Sequence, residues 1–167
     1  MNVSIHDDSI RLQKVFSCLQ YLKSHAVQVG LPSTADGDLR FILAVQEHGS
    51  PVMRIPPRPV VQPALEREAT REAMAEAAIS ALDAAMQGDL SGTQAGLENA
   101  GQAGADGIRA YIDDGVPPPN SPVTVNGGWI YNRVAQTGVH IEGKGFNKPL
   151  YDTGRLYRSF SYEVVNK

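Results

Sequence analysis

Asp152-Thr153-Gly154 is the stretch of this chain whose residue types most resemble a catalytic motif. Aspartic proteases use two such triplets, whose neighbouring carboxylates share one proton because like charges so close together cannot both ionise. Only residues 155–167 follow the triplet, too few for the β-structure that such an enzyme needs there, and Arg155 stands where a small residue is usual. We therefore interpret the triplet as a tight turn, in which Asp152 accepts backbone N–H bonds and Gly154 takes the left-handed conformation.

No other group of chemistry-bearing residues has the spacing of a known site. The four histidines are far apart and none belongs to an HExxH pattern. Glu142-Gly143-Lys144-Gly145 contains a Gly-Lys pair but lacks the frame of a phosphate-binding loop. The single cysteine, Cys18, lies in an apolar helical pattern where a buried thiol is expected, and it excludes an internal disulfide. The sequence thus predicts no catalytic residue, no cofactor and no metal, and we do not expect an enzyme.

The charge pattern limits the classes of partner. The net charge of −3 at pH 7 argues against a protein that coats nucleic acid electrostatically. A solvated face or a subunit interface explains the late basic residues better than a polyanion patch; these residues are Lys144, Lys148, Arg155 and Arg158. Because no apolar run reaches about 18 residues, we expect no transmembrane helix. The polar, acidic first residues also predict no secretory signal.

The first third of the chain predicts one helix and short extended pieces. Residues 7–26 carry apolar side chains three or four positions apart, which predicts an amphipathic helix. Apolar residues occupy alternate positions of 27–31, which indicates a short strand or an extended segment after the helix. After a turn at 33–38, residues 41–45 are apolar on both faces, which favours a strand covered on both sides. A short helix through Glu47 is the alternative.

A proline-rich segment then precedes two long helices. Four prolines between Ile55 and Leu65 make a stiff segment that aims the next helix, because proline suits a first helical turn and not a helix interior. Residues 63–87 are strong helix formers with an alanine seam, and residues 91–114 carry a glycine-rich seam. Packed together, the seams predict an antiparallel αα-hairpin with closely spaced axes. A frayed, flexible second helix is the alternative.

Residues 116–150 have a different composition. The prolines of 116–122 exclude a helix or a central strand there. Val123, Val125 and Trp129-Ile130-Tyr131 indicate strand pieces around a hairpin-like turn at 126–128, with a further piece at 139–141. Long irregular connections are usually functional or disordered. This one carries the only tryptophan, Trp129, so we expect an arm that becomes ordered against a partner.

The predicted fold is therefore α+β. It has an N-terminal helix, a small mostly antiparallel sheet, a long αα-hairpin packed on that sheet, an extended Pro/Gly-rich arm and a C-terminal strand over residues 156–165. We predict one domain over residues 1–167, with 116–150 as an extended arm or insertion. A folded body with an arm is typical of interlocking assembly proteins.

Two blocks of sequence carry a resemblance to a known family. The first block is Val45-Gln46-Glu47-His48-Gly49-Ser50, then Ile55-Pro56-Pro57-Arg58-Pro59, then Gln62-Pro63-Ala64-Leu65. The second is Asn120-Ser121-Pro122-Val123-Thr124, then Lys148-Pro149-Leu150-Tyr151-Asp152-Thr153-Gly154-Arg155-Leu156, followed by a closing strand. In their order and spacing these blocks resemble the neck or tail-completion proteins of long-tailed bacteriophages. His48 and Val60 stand where that family usually has aromatic residues.

The resemblance implies a structural protein of the virion, located at the neck and in the bacterial host cytoplasm during assembly. It implies a homo-oligomeric ring, six-fold or alternatively twelve-fold, between a head-closure or connector protein and the tail terminator or tube. DNA would pass through the lumen without sequence-specific binding, and no membrane, cofactor or catalysis would be involved. The candidate interface residues are Pro56, Arg58, Pro59, Pro63, Asn120, Thr124, Lys148, Pro149, Leu150, Asp152, Thr153, Gly154 and Leu156 of the two blocks, together with Trp129 of the arm. Two other functions stay open: a tail-assembly chaperone or adaptor that is not incorporated, and an aspartic protease acting through Asp152.

Overall fold

The computed structural model describes residues 5–52, 54–132, 136–151 and 153–167. Its fold is α+β, as predicted, with helices and two small antiparallel two-stranded sheets. The elements in chain order are α1 Ile5–Ser24, β1 His25–Gly30, α2 Gly37–His48, α3 Val61–Glu66, α4 Glu68–Met86, α5 Leu90–Asp114, α6 Pro122–Asn126, β2 Gly128–Asn132, β3 Thr137–Ile141, α7 Arg155–Ser159 and β4 Ser161–Asn166. Among the described residues, no helix combines the length and the apolar character that crossing a membrane requires.

The chain forms two compact units. Unit 1 consists of Met1–Ala35, Val61–Ile108 and Phe160–Lys167. Unit 2 consists of Asp36–Val60 and Arg109–Ser159.

Unit 1 is built on close packing between α4 and α5, which confirms the predicted helix pair. A Cβ added at Gly96 would lie only 2.6 Å from the Cα of Ala81 on α4. Ala81 and Ala85 are themselves buried, so small residues on both helices let the backbones approach. Gly101 instead faces the side chain of Tyr162 on β4. Gly104 faces Val29 on β1 and Leu65 on α3. The glycines of α5 therefore allow close approach of the sheet and of α3 as well as of α4, whereas the sequence predicted a single seam against one helix.

The N-terminal helix is confirmed, and β1 follows it directly. β1 pairs antiparallel with β4, from His25 opposite Asn166 to Gly30 opposite Ser161. The C-terminal strand is thus confirmed but shorter than predicted, because residues 155–159 form helix α7 and Leu156 lies in that helix. The predicted helix over 63–87 begins at Val61 and is interrupted at Arg67, whose backbone is extended.

The favoured strand over residues 41–45 is wrong and the alternative, a short helix through Glu47, is confirmed, because this segment lies in helix α2. Asp36 caps the helix, since its Oδ1 accepts a hydrogen bond from the N–H of Asp38 at 3.3 Å. Gly49 ends it at a φ of 72°. A short apolar run does not distinguish a helix from a strand by periodicity, and here the capping residues at its two ends decide the outcome.

The predicted strand pieces at Val123 and Val125 are also wrong, because both residues lie in α6. Ser121 Oγ accepts from the N–H of Thr124 at 3.3 Å, and Pro122 occupies the first helical turn. Gly127 consequently ends this helix and Gly128 begins β2, so residues 126–128 do not form a hairpin turn. The strands predicted at 129–131 and 139–141 are confirmed as β2 and β3, which pair antiparallel from Gly128 opposite Ile141 to Asn132 opposite Thr137.

Candidate interaction site

A cavity of about 1180 Å³ lies within unit 2, and we call it the motif cavity. Its wall comes from α2, the proline-rich segment, residues 118–121 and 123–124, β2, and residues 150–151 and 153–156. Most of the predicted interface residues meet here, from both blocks of the resemblance. Those in its wall are Pro56, Arg58, Asn120, Thr124, Trp129, Leu150, Thr153, Gly154 and Leu156.

Arg58 joins the two blocks. Its Nε donates to the carbonyl of Pro118 at 2.8 Å and its Nη2 donates to the carbonyl of Pro119 at 3.1 Å. Its backbone N–H donates to the carbonyl of Gln46 at 2.6 Å. The residue is only 7% exposed, and this burial lowers the pKa of its guanidinium. Arg58 therefore anchors the proline-rich segment and the end of α2 to the prolines before Asn120.

Two polar atoms in the cavity wall lack a hydrogen-bond partner. They are Gln46 Oε1 and Asn120 Nδ2, and both are buried. The backbones of these two residues are hydrogen-bonded. The N–H of Asn120 donates to Asn147 Oδ1 at 2.9 Å, and the carbonyl of Gln46 accepts from the N–H of Arg58. An unpaired acceptor and an unpaired donor in one wall are uncommon, since buried polar groups are nearly always satisfied.

A second cluster fixes the segment that contains Lys148. The Nζ of Lys148 donates to Asp113 Oδ1 at 2.6 Å, and the hydroxyl of Tyr157 donates to Asp113 Oδ2 at 2.7 Å. The hydrogen bond from Lys148, then that from Tyr157, lowers the pKa of Asp113 below its ordinary value, and desolvation opposes the effect. The bond to Asp113, followed by burial, raises the pKa of Tyr157. Pro149 beside this cluster is buried.

The turn before α7 carries the rest of the second block. Asp152 lies outside the described residues, so its predicted place in a turn stays a prediction. Thr153 and Gly154 precede α7, Gly154 has a φ of 75°, and Arg158 Nη2 donates to the carbonyl of Thr153 at 3.0 Å. Arg155 pairs with Asp36 at 3.2 Å on the surface.

Two predicted residues of the first block lie away from the cavity wall. Pro59 is exposed, and Pro63 lies in α3 of unit 1. Sequence reasoning did not name Asp113 or Tyr157, and it did not single out Gln46, although that residue lies in the first block. Asp113 did carry a signal: it stands in the last turn of a helix, where the helix dipole disfavours a carboxylate unless a cation is close.

The β2–β3 hairpin displays apolar side chains to solvent. Trp129 is 73% exposed, and Ile130, Tyr131 and Val139 are exposed as well. The Trp129 ring contacts the His140 ring edge-on, with centroids 5.4 Å apart. Large exposed aromatic residues that are grouped together mark interaction surfaces more often than isolated ones do.

Among the described residues, no three His, Cys, Asp or Glu side chains are close enough together to hold a metal ion. Comparison with known proteins gives no match to any family model, any curated protein or any solved structure. The residues of unit 2 are therefore the basis for a functional proposal.

Proposed function

We propose that this chain is a structural protein of a bacteriophage neck, which assembles as a ring that joins or completes the tail at the head–tail interface. The observation that supports the proposal best is the motif cavity. Residues from both blocks that resemble the neck and tail-completion family line it, although they are far apart in the chain. Arg58 of the first block bonds directly to the carbonyls that precede Asn120 of the second.

The exposed hairpin supports an assembly role for the same unit. Trp129, Ile130 and Tyr131 form a contiguous exposed run on β2. Exposed aromatic residues provide large contact area at low conformational cost, which is why they are enriched at interfaces. In the proposed ring, the hairpin contacts a neighbouring protein, and its residues Trp129, Ile130, Tyr131 and Ile141 also line the motif cavity.

The proposed assembly is a homo-oligomer, six-fold or alternatively twelve-fold, between a head-closure or connector protein and a tail terminator or tube protein. DNA passes through its lumen without being read. The mildly acidic chain, with a net charge of −3, agrees with a lumen that must not hold DNA tightly. The proposal places the protein in the virion and assigns it no catalysis.

Electron microscopy of the purified protein, together with mass spectrometry of intact particles, tests the proposal. We expect rings and stoichiometric incorporation. A strictly monomeric protein that is absent from particles would overturn it. Presence in infected cells without incorporation would instead establish an assembly chaperone or adaptor.

A further inference from the structure

Three consecutive residues of β2 line the motif cavity: Trp129, Ile130 and Tyr131. Side chains alternate between the two faces of a strand, so one face cannot supply three successive residues. β2 therefore meets the cavity along its edge. Within the described residues its only strand partner is β3, which leaves that edge open to another strand. We propose that the motif cavity binds an extended acidic segment of another protein, which adds to the sheet as a third strand on β2.

An added strand has a second edge that needs polar partners, and the cavity wall carries two candidate groups. Gln46 Oε1 is an unpaired acceptor and Asn120 Nδ2 an unpaired donor. An extended peptide presents N–H and C=O groups along both of its edges, so one edge pairs with β2 while the other satisfies these two atoms. A purely apolar ligand would leave both atoms unsatisfied, which is costly for buried groups.

Arg58 holds the unpaired donor and acceptor in one framework. It bonds through its backbone N–H to the carbonyl of Gln46 and through its side chain to the carbonyl of Pro119, next to Asn120. The two atoms therefore belong to a preorganised wall. Preorganisation reduces the ordering cost of binding.

The charge of the wall selects an acidic segment. The charged side chains that the structure describes there are all cationic, namely Arg54, Arg58, Lys144 and Arg155. The Arg54 side chain is exposed and makes no ion pair or hydrogen bond within the described part of the chain, while its backbone N–H donates to the carbonyl of Pro51 at 3.3 Å. It is thus available to a carboxylate on the incoming strand.

The size and lining of the cavity suit a peptide. Its volume of about 1180 Å³ exceeds the ~300–1,000 Å³ typical of small-molecule pockets. Apolar side chains of Leu39, Ile42 and Leu156 line it as well, and they would contact alternate residues of the bound strand. The proposed occupant is therefore an extended segment in which apolar and acidic residues alternate.

This inference goes beyond the proposed neck function and depends only on unit 2. It holds for the isolated full-length chain, whether or not that chain enters a virion. A failure of peptide binding and a failure of ring formation are consequently separate results.

Two synthetic decapeptide libraries provide the test. One alternates Asp or Glu with Val, Ile, Leu or Phe, and the other carries Lys or Arg at the same positions in place of the acids. The immobilised full-length protein should retain the acidic library about tenfold better than the basic one. The best acidic peptide is then titrated against the protein in solution, with the fluorescence of Trp129, the only tryptophan, as the signal. No retention of either library, or equal retention of both, would overturn the proposal.

Variants of the wall define the binding mode. Gln46→Met removes the unpaired acceptor and keeps the main-chain bond to Arg58. It should lower the affinity for the selected peptide about tenfold. Arg54→Glu should remove the preference for acidic peptides. The matched controls, Gln13→Met and Arg11→Glu on exposed positions of α1, should change neither result. Circular dichroism of each variant confirms that it is folded.

Backbone pairing is tested on the peptide itself, which avoids any effect on folding. The selected peptide, N-methylated at alternate residues, loses the donors of one edge and should no longer bind. Unchanged binding of the methylated peptide would contradict strand addition. Concentration-dependent self-association of the protein alone that Gln46→Met abolishes would also contradict the proposal, because the occupant would then be a second copy.

Discussion

Unit 1 and unit 2 are stabilised in different ways. In unit 1, small residues on α4 and α5 bring two long helices together, and the buried side chains are mostly apolar. In unit 2, short elements are joined by a few polar side chains. Among them, Arg58 donates to two backbone carbonyls, and Asp113 accepts from Lys148 and Tyr157. The comparison indicates that unit 1 tolerates changes of polarity on its surface but not of volume between its helices. Unit 2 depends on individual hydrogen bonds.

The largest stability effect is expected between α4 and α5. Gly96→Ala places a Cβ against the Ala81 backbone, so the helices must separate, at a cost of about 3 kcal/mol in the free energy of unfolding. The matched control is Gly37→Ala at the start of α2, where an added Cβ meets nothing within 4 Å and little change is expected. Chemical denaturation of both variants measures the difference. Equal stability of the two would show that the helices are not closely packed.

Arg58→Met should have the next largest effect and should act on unit 2. It leaves the carbonyls of Pro118 and Pro119 without their charged donor, which costs about 2 kcal/mol. Arg54→Met removes a cation of the same type from an exposed position and should be nearly neutral. Hydrogen exchange should show lost protection in residues 36–60 and 109–159 for Arg58→Met, with unit 1 unaffected. Uniform loss across both units would argue against two separately stabilised units.

Ser121→Ala should have a smaller effect, because it removes the cap of α6 and one exposed hydrogen bond to the Thr124 hydroxyl. The expected cost is about 1 kcal/mol. Ser80→Ala on α4 is the control, since that serine bonds to the carbonyl of Glu76 within a helix and alanine is the better helix former. Thermal unfolding should rank Ser121→Ala below the wild type and Ser80→Ala at or above it. The reverse order would mean that the cap at Ser121 does not stabilise the fold.

The smallest expected effect is the pH dependence that comes from Asp113 and Tyr157. Because folding lowers the pKa of Asp113, its stabilising contribution is present above the ordinary pKa of 3.8 and is lost as the pH falls through the folded value. Because folding raises the pKa of Tyr157, its contribution is present below 10.0 and is lost as the pH rises through the folded value. Both groups are well solvated, so the effect on stability is small.

NMR titration of labelled tyrosine measures this coupling directly. Asp113→Asn should lower the pKa of Tyr157, because the carboxylate that accepts the hydrogen bond from the Tyr157 hydroxyl is gone. Asp114→Asn, the adjacent substitution with the same loss of charge, should have less effect. Equal shifts in the two variants would mean that general charge, and not the hydrogen bond, raises the pKa of Tyr157.

The sequence predicted the long elements well, because their patterns extend over several turns. α1, α4 and α5 lie close to their predicted positions, and β4 covers only the second part of the predicted C-terminal strand. β2 and β3 were located by Trp129-Ile130-Tyr131 and Val139-His140-Ile141. The prediction was wrong for the short elements α2 and α6, where a capping side chain and a terminal glycine decide between helix and strand. Single apolar runs such as Phe41–Val45 do not carry that information.

The candidate site was predicted as motifs but not as an arrangement. The order of the motifs along the chain predicted Arg58, Asn120 and Leu150 as interface residues. It did not predict that they line one cavity. The bonds from Arg58 to Pro118 and Pro119 connect residues about 60 positions apart, and no local pattern encodes such a contact. Gln46 lies in the first block of the resemblance, but its unpaired Oε1 depends on tertiary packing alone.

Deletion of the β2–β3 hairpin tests the central claim, that unit 2 mediates assembly, most directly. Removing residues 128–142 joins Gly127 to Gly143, and these ends are adjacent, because a Cβ at Gly127 would lie 2.9 Å from the backbone nitrogen of Gly143. Electron microscopy of the full-length chain and of the deletion variant, each first shown to be folded by circular dichroism, gives the answer. We predict rings for the full-length chain and folded, unassembled subunits for the variant. Rings that persist in the variant would contradict a role of the hairpin in assembly, and a full-length chain that forms no rings would contradict the neck proposal itself.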